Sequence, residues 1–248
     1  MVKVIVFCTK FMVTVLVALL FASCGNNVLN GIEGNGKVQD EKRNIVEKFT
    51  KISVNRGVEV IVEQSETVEV VVEADQNLLS HITTKVENGT LVITSDENIY
   101  SAVFETVHVK MPVVEELRST GGSTIKVKGT LKSAGTVNEL RVSSSSGSEI
   151  NATLEFDAIN AESAGGSTIS MSGKTLKLRT ASSGGSEINA ANLLANEVHA
   201  EATSGSSLEV HPLLNLIAKS SSGSSIDYKG TPKNISKEET SGGSVSSN

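Results

Sequence analysis

The sequence predicts an all-β fold: a parallel β-helix (β-solenoid) with coils of about 19 residues, preceded by an irregular β-rich capping region. Three observations carry that expectation. A small-residue cluster around Gly122 returns at Gly147, Gly166, Gly185, Gly205, Gly223 and Gly242, with spacings of 25, 19, 19, 20, 18 and 19 residues. Aliphatic residues stand at fixed offsets from those glycines: Ile125, Ile150, Ile169, Ile188, Leu208, Ile226 and Val245 lie three residues after them. Seven residues before them come Glu115, Leu140, Ile159, Leu178, Val198, Leu216 and Ile235, and only the first breaks the pattern. The segments between alternate with period two, which is the period of a strand and not of a helix.

Each repeat reads as apolar strand, small corner, apolar strand. One unit cannot bury its apolar face alone, whereas stacked units can. The general bias of parallel crossovers makes the stack right-handed. Serines at the corner, such as Ser123, Ser148 and Ser167, need partners, because an unpaired buried hydroxyl costs about 1–3 kcal/mol. They are expected to bond along the stack or to corner backbone groups. A Gly/Ser linker would not place an aliphatic residue at a fixed offset from glycine seven times. Aromatics make up only 3% of the chain, which suits a slim core of Ile, Val, Leu, Ala and Ser.

In chain order, residues 1–23 read as a signal peptide. Lys3 and Lys10 are its charges, and Val13 to Ala22 is apolar apart from Thr14, too short a run for a membrane span. The segment ends Leu20-Phe21-Ala22-Ser23-Cys24, which resembles the lipobox of bacterial lipoproteins and makes Cys24 the expected lipidation site. Phe21 departs from that pattern, since leucine is commonest there. Residues 24–44 read as a flexible tether, 45–116 as a β-rich region that caps the solenoid or merges with it, and 117–248 as the regular repeats.

Inside the β-rich region, Phe49 to Val62 suggests two strands about a turn at Asn55-Arg56-Gly57. Val68 to Glu73 is a further strand, and Gln76 to Ile82 is expected to form a short helical turn with Asp75 as its cap. Asn88-Gly89 signals a hairpin between Thr83–Val86 and Leu91–Thr94. The one long spacing, before Gly147, places a loop at Lys132 to Thr136. Val245 completes an apolar column without an obvious cap, so an end-to-end homodimer is expected.

The whole chain carries 22 basic and 28 acidic residues, net −6. Cleavage before Cys24 removes two lysines and no acids, leaving 20 against 28, net −8. That balance speaks against nucleic-acid binding. Cys8 goes with the signal, so Cys24 would be the remaining cysteine, and neither a disulfide nor a cysteine metal site follows. No cofactor is expected.

The candidate binding face is a flat polar strip. Two residues before the anchors it carries Thr120, Ser145, Ser183, Thr203 and Ser221; after them come Glu149, Glu187, Asn151 and Asn189. Such a strip suits an extended glycan or another protein. For catalysis, Glu149 and Glu187 stand two coils apart, roughly 10 Å at about 4.8 Å per coil, the long end for an inverting glycosidase pair. His81, His108, His199 and His211 sit in no nucleophile-elbow pattern, and the glycine–aspartate nonapeptide of calcium-binding β-rolls is absent. No catalytic residue and no metal ligand is assigned.

Taken together, the lipobox, Gly31-Ile32-Glu33-Gly34-Asn35-Gly36, Phe49-Thr50-Lys51-Ile52-Ser53-Val54, Val58-Glu59-Val60-Ile61-Val62, Ala74-Asp75-Gln76-Asn77-Leu78-Leu79 and the repeated Ser-Gly-Ser coils resemble the putative auto-transporter adhesin, head GIN domain family. That family occurs widely in Bacteroidetes, and the resemblance spans about residues 45 to 245. It implies a parallel β-helix domain and a cell-envelope location, here lipid-anchored at the outer membrane with its facing direction open. The expectation is a non-catalytic adhesin that binds a cell-surface glycan or an envelope protein. The alternatives are an unusual polysaccharide-acting enzyme and a structural envelope spacer.

Overall fold

The structure, a computed structural model, describes residues 31–102 and 105–248. The expected signal peptide and Cys24 lie outside the described residues. In the first half the strands are β1 (Ile32–Glu33), β2 (Val38–Arg43), β3 (Lys51–Val54), β4 (Glu59–Gln64), β5 (Glu69–Asp75), β6 (Ile82–Glu87), β7 (Thr90–Ser95), β8 (Ile99–Ser101) and β9 (Glu105–Met111). The repeats form β10 (Glu116–Thr120), β11 (Thr124–Lys132), β12 (Glu139–Ser145), β13 (Glu149–Ala164), β14 (Thr168–Ser183), β15 (Glu187–Ala202), β16 (Ser207–Ser221), β17 (Ser225–Tyr228), β18 (Asn234–Thr240) and β19 (Ser244–Ser247). β1 and β2 fall within the span read as a tether. Gln76 to His81 form turns without a regular helix, and the Asn88-Gly89 hairpin joins β6 and β7 in antiparallel register.

Seventeen of these strands belong to one sheet, and two kinds of pairing share it. Between repeats the pairing is parallel, so that Glu149, Thr168, Glu187, Ser207, Ser225 and Ser244 follow one another in one column. The first half adds antiparallel pairs: β2 with β5, β5 with β9, and β6 with β7. These are stitched laterally into the repeats, through β7–β3–β10 on one side and β9–β4–β11 on the other. The expected parallel β-helix is therefore corrected. The chain forms a nearly closed, barrel-like sheet of mixed strand orientation, and the first half is part of its wall. Alternation along a strand is the same whether its neighbour runs parallel or antiparallel, so the apolar pattern could not distinguish the two.

The aliphatic columns fill the inside. Ile125, Ile150, Ile169, Ile188, Leu208 and Ile226 are fully buried, and Leu140, Ile159, Leu178, Val198 and Leu216 form a second buried row. The first half contributes Ile52, Val54, Val60, Val62, Val70, Val72, Leu91 and Ile93 to the same core. Departures from the period are absorbed as bulges. The 20-residue repeat carries an irregularity where Ser170 and Ser172 face Asn189 and Asn192. The 25-residue one carries a bulge at Lys126–Thr130 and a loop closed by a bridge between Ala134 and Val137.

Each corner turns on two successive residues with positive φ. At Gly165 and Gly166 these are 63° and 72°; at Ser146 and Gly147, 57° and 72°. The left-handed region explains why the second position is glycine in every repeat. A buried serine locks each corner from inside. Ser167 Oγ accepts from the Ala164 N–H at 3.2 Å and reaches the Ser144 carbonyl of the preceding layer at 2.8 Å. The same bond to the layer below recurs from Ser123 to Val54, Ser148 to Ser119, Ser186 to Ser163, Ser206 to Ser182 and Ser224 to Ala202. The hydroxyls thus bond along the stack and to the corner backbone, as the need for partners requires.

The last layer differs inside. Where the layer before it holds Ala218 and Ser220, it holds Lys237 and Glu239. Lys237 Nζ donates to the Val245 carbonyl at 3.1 Å and lies 4.7 Å from the centre of the Tyr228 ring, while Glu239 accepts the Val245 N–H at 2.7 Å. Inward charges on an edge strand discourage pairing with a further strand.

Candidate functional site

The glycine corner divides the polar strip into two. On the side before it, Thr120, Ser145, Ala164 and Ser183 stand in one column by strand register, with Thr203 and Ser221 continuing the offset. Their positions are fixed through the backbone, because the N–H groups of Ser145, Ser183, Thr203 and Ser221 donate to the corner serines. Ser145, Ser183 and Thr203 border one shallow concavity together with Glu162 and Glu201.

Glu149, Asn151, Glu187 and Asn189 lie beyond the corner, on the adjoining face. Glu149 accepts a hydrogen bond from Asn151 Nδ2 at 2.6 Å, and Asn189 Oδ1 accepts the Ala191 N–H at 3.2 Å. Thr168 separates Glu149 from Glu187 in the column, so the two carboxylates are two layers apart. The structure thus brings together Ser145, Ser183 and Thr203, and sets the acid–amide group on a different side. Among the described residues, no cluster of three or more His, Cys, Asp or Glu side chains is arranged to hold a metal ion.

The more pronounced feature is a groove of about 650 Å³ on the face before the corner, which the sequence reading passed over. Its residues stand four and six positions before the anchors. The outer column runs Glu116, Arg141, Asn160, Arg179 and His199; the inner one runs Arg118, Ser143, Glu162, Ala181 and Glu201. Reading the even offsets one and two steps further out would have found them. Arg118 is tied to Glu116 at 3.0 Å, His199 faces Glu201 at 3.5 Å, and Arg141 is held loosely by Glu139 at 3.7 Å. Arg179 and Glu162 have no ion pair among the described residues.

Two other surfaces are built differently. On the first half, Glu69 bonds Lys42 at 2.9 Å and Lys110 at 3.1 Å, while His108 bonds Glu73 at 3.0 Å. The hydrogen bond from Lys42, then that from Lys110, holds the Glu69 carboxyl below its ordinary value. Around the stack from the corner, Leu176, Leu194 and Leu213 stand beside Phe156 over a shallow hollow flanked by Lys132 and Lys174. Both lysines are engaged by Glu155, whose carboxyl is lowered chiefly by the hydrogen bond from Lys132.

No curated protein matches the chain in sequence. Among solved structures, it is similar to a putative adhesin from Bacteroides fragilis NCTC 9343, with 20% identity and a TM-score of 0.80, covering 88% of this chain and 100% of that one. A putative adhesin from Parabacteroides merdae ATCC 43184 gives 20% identity and a TM-score of 0.69, covering 88% and 99%. A structure described as a putative lipid binding protein, from Parabacteroides distasonis ATCC 8503, gives 20% identity and 0.67 over the same shares. At such identities the likeness speaks for the fold alone. The sequence model of one family, described as putative auto-transporter adhesin, head GIN domain, matches residues 48–232, three quarters of the chain. The chain belongs to the putative auto-transporter adhesin, head GIN domain family.

Proposed function

We propose that this chain is a non-catalytic adhesin of the cell envelope that binds a glycan or a protein along the face before the glycine corner. The observation that carries the reading is the flat polar column of Ser145, Ser183 and Thr203 opening into a charged groove. The adhesin description of the family supports a cell-surface or envelope address. The lipobox-like Leu20-Phe21-Ala22-Ser23-Cys24 supports lipid anchoring through Cys24, and with it the outer membrane. The two-layer separation of Glu149 from Glu187 gives the polysaccharide-cleaving alternative little to work with, since an inverting pair needs both carboxylates on one bond.

The test is a glycan array and an envelope-protein pull-down with the full chain, beside a variant carrying Ser145→Lys, Ser183→Lys and Thr203→Lys. Loss of a bound partner in the variant supports the adhesive face and identifies the partner class. Silence from both proteins shifts the reading to a structural spacer, and turnover of any polysaccharide on a broad panel overturns the non-catalytic assignment.

A further inference from the structure

We infer that the groove holding Arg141 and Arg179 is a subsite for a carboxylated glycan chain lying parallel to the stacking direction. This deepens the adhesin reading and rests on it. The argument starts from spacing. Arg141, Asn160 and Arg179 are successive members of one column, in register Arg141↔Asn160↔Arg179. Adjacent strands lie about 4.8 Å apart, so the two guanidinium stems rise from the same face roughly 10 Å apart. An extended chain along that column meets a planar cation on either side of Asn160, whose amide is held by the Glu139 carboxylate at 2.7 Å.

Charge accounting selects the chemistry. The chain is acidic overall, net −6. Many of its surface cations are neutralised close by: Lys42 and Lys110 by Glu69, Lys126 by Glu59, Lys128 by Glu63, Lys132 by Glu155. In the groove Arg118 is likewise spent on Glu116. Arg179 has no such partner among the described residues, and Arg141 only one at 3.7 Å. Lys177, two residues from Arg179 on the same outward side of β14, has none either. Guanidinium groups bind carboxylates bidentately, which a lysine cannot do.

The neighbouring column explains why a sugar fits better than a simple polyanion. Glu162 and Glu201 line the same groove. Their carboxylates would repel a ligand that presents charge on every side, yet they accept hydrogen bonds from hydroxyls. A uronic-acid chain offers carboxylate to one column and hydroxyls to the other. Exposed arginine contacts are weakened by salt, so binding should fall as ionic strength rises past the point where the Debye length is about 10 Å.

The experiment is titration calorimetry of the full chain, expressed whole and purified in detergent, with oligogalacturonate, with its methyl ester and with dextran. The expected result is binding of oligogalacturonate and at least tenfold weaker binding of the other two. Arg141→Gln with Arg179→Gln should weaken oligogalacturonate at least tenfold, while Lys126→Gln, on the face beyond the corner, leaves it unchanged. A thermal melt of each variant confirms folding. Equal affinity for the methyl ester, or undiminished binding in the double arginine variant, overturns the subsite. So does absence of oligogalacturonate binding. If the full chain still captures a neutral glycan or a protein on the array, only the subsite falls; silence there as well removes the adhesive reading with it.

Discussion

Ser186→Ala removes one hydroxyl from the buried corner ladder. That oxygen accepts the Ser183 N–H at 3.2 Å, donates toward the Ser163 carbonyl at 2.8 Å, and lies 2.9 Å from Ser182 Oγ. Ser182 keeps a second acceptor, the Ser186 carbonyl at 3.2 Å, so its own hydroxyl is not stranded. Two hydrogen bonds are lost, each worth about 1 kcal/mol net. The amide and carbonyl left behind sit where the serine itself is only 2% exposed, and incomplete satisfaction of buried groups adds to the loss. The sum is about 2–3 kcal/mol. For a domain of this size, that is a fall in melting temperature of about 5–10 °C. The assay is urea and thermal unfolding beside Ser183→Ala, whose half-buried hydroxyl makes no hydrogen bond among the described residues; that control should stay within about 0.5 kcal/mol of the parent. A Ser186→Ala protein no less stable than the control would refute the claim that the ladder holds the layers together.

Other expectations follow from the same geometry. Ala202 interrupts a column that reads Ser119, Ser144, Ser163, Ser182 and Ser220, so Ala202→Ser should restore the missing bond and raise stability by about 1 kcal/mol in a urea titration. Gly166→Ala meets open space and only the positive φ of 72°, costing about 1–2 kcal/mol. Gly173→Ala would drive its Cβ into the Leu154 carbonyl oxygen, and should lower soluble yield and melting temperature well beyond Gly166→Ala. Glu105 is pushed up to about 7 by burial, and its Oε1 has no hydrogen-bond partner among the described residues. Its folded value lies above the unfolded one, so its favourable contribution is full below pH of about 4.5 and is lost as pH rises through about 7. Glu105→Gln should therefore raise the melting temperature at pH 8 and change it little at pH 4. Lys237→Ala with Glu239→Ser gives the last layer the residue types of the layer before it, and light scattering should then show more self-association than in the parent.

Much of this architecture was legible before any coordinates. The seven glycines and the aliphatic columns specify the layers, because a strand shows its inward face every second residue and a left-handed corner admits little but glycine. The serine ladder followed from the demand that buried hydroxyls find partners. The one long spacing, before Gly147, also told where a loop stands, and the Ala134–Val137 bridge closes it. Three things needed the tertiary structure. Strand direction in the first half was one: the Asn88-Gly89 turn announced the antiparallel β6–β7 pair, but the alternation of β5 and β9 is the same in parallel and antiparallel company, and β2, exposed along nearly its whole length, carries no alternation to read. The second was the division of the polar strip, because sequence offsets of two before and two after a corner look adjacent while the turn sends their side chains to different faces. The third was the groove: whether Arg141, Arg179 and Glu162 are neighbours depends on the stacking of residues 19 apart or more, and whether an arginine is already neutralised depends on side-chain reach. Periodicity determines which way a residue faces; only the packed layers decide what stands beside it.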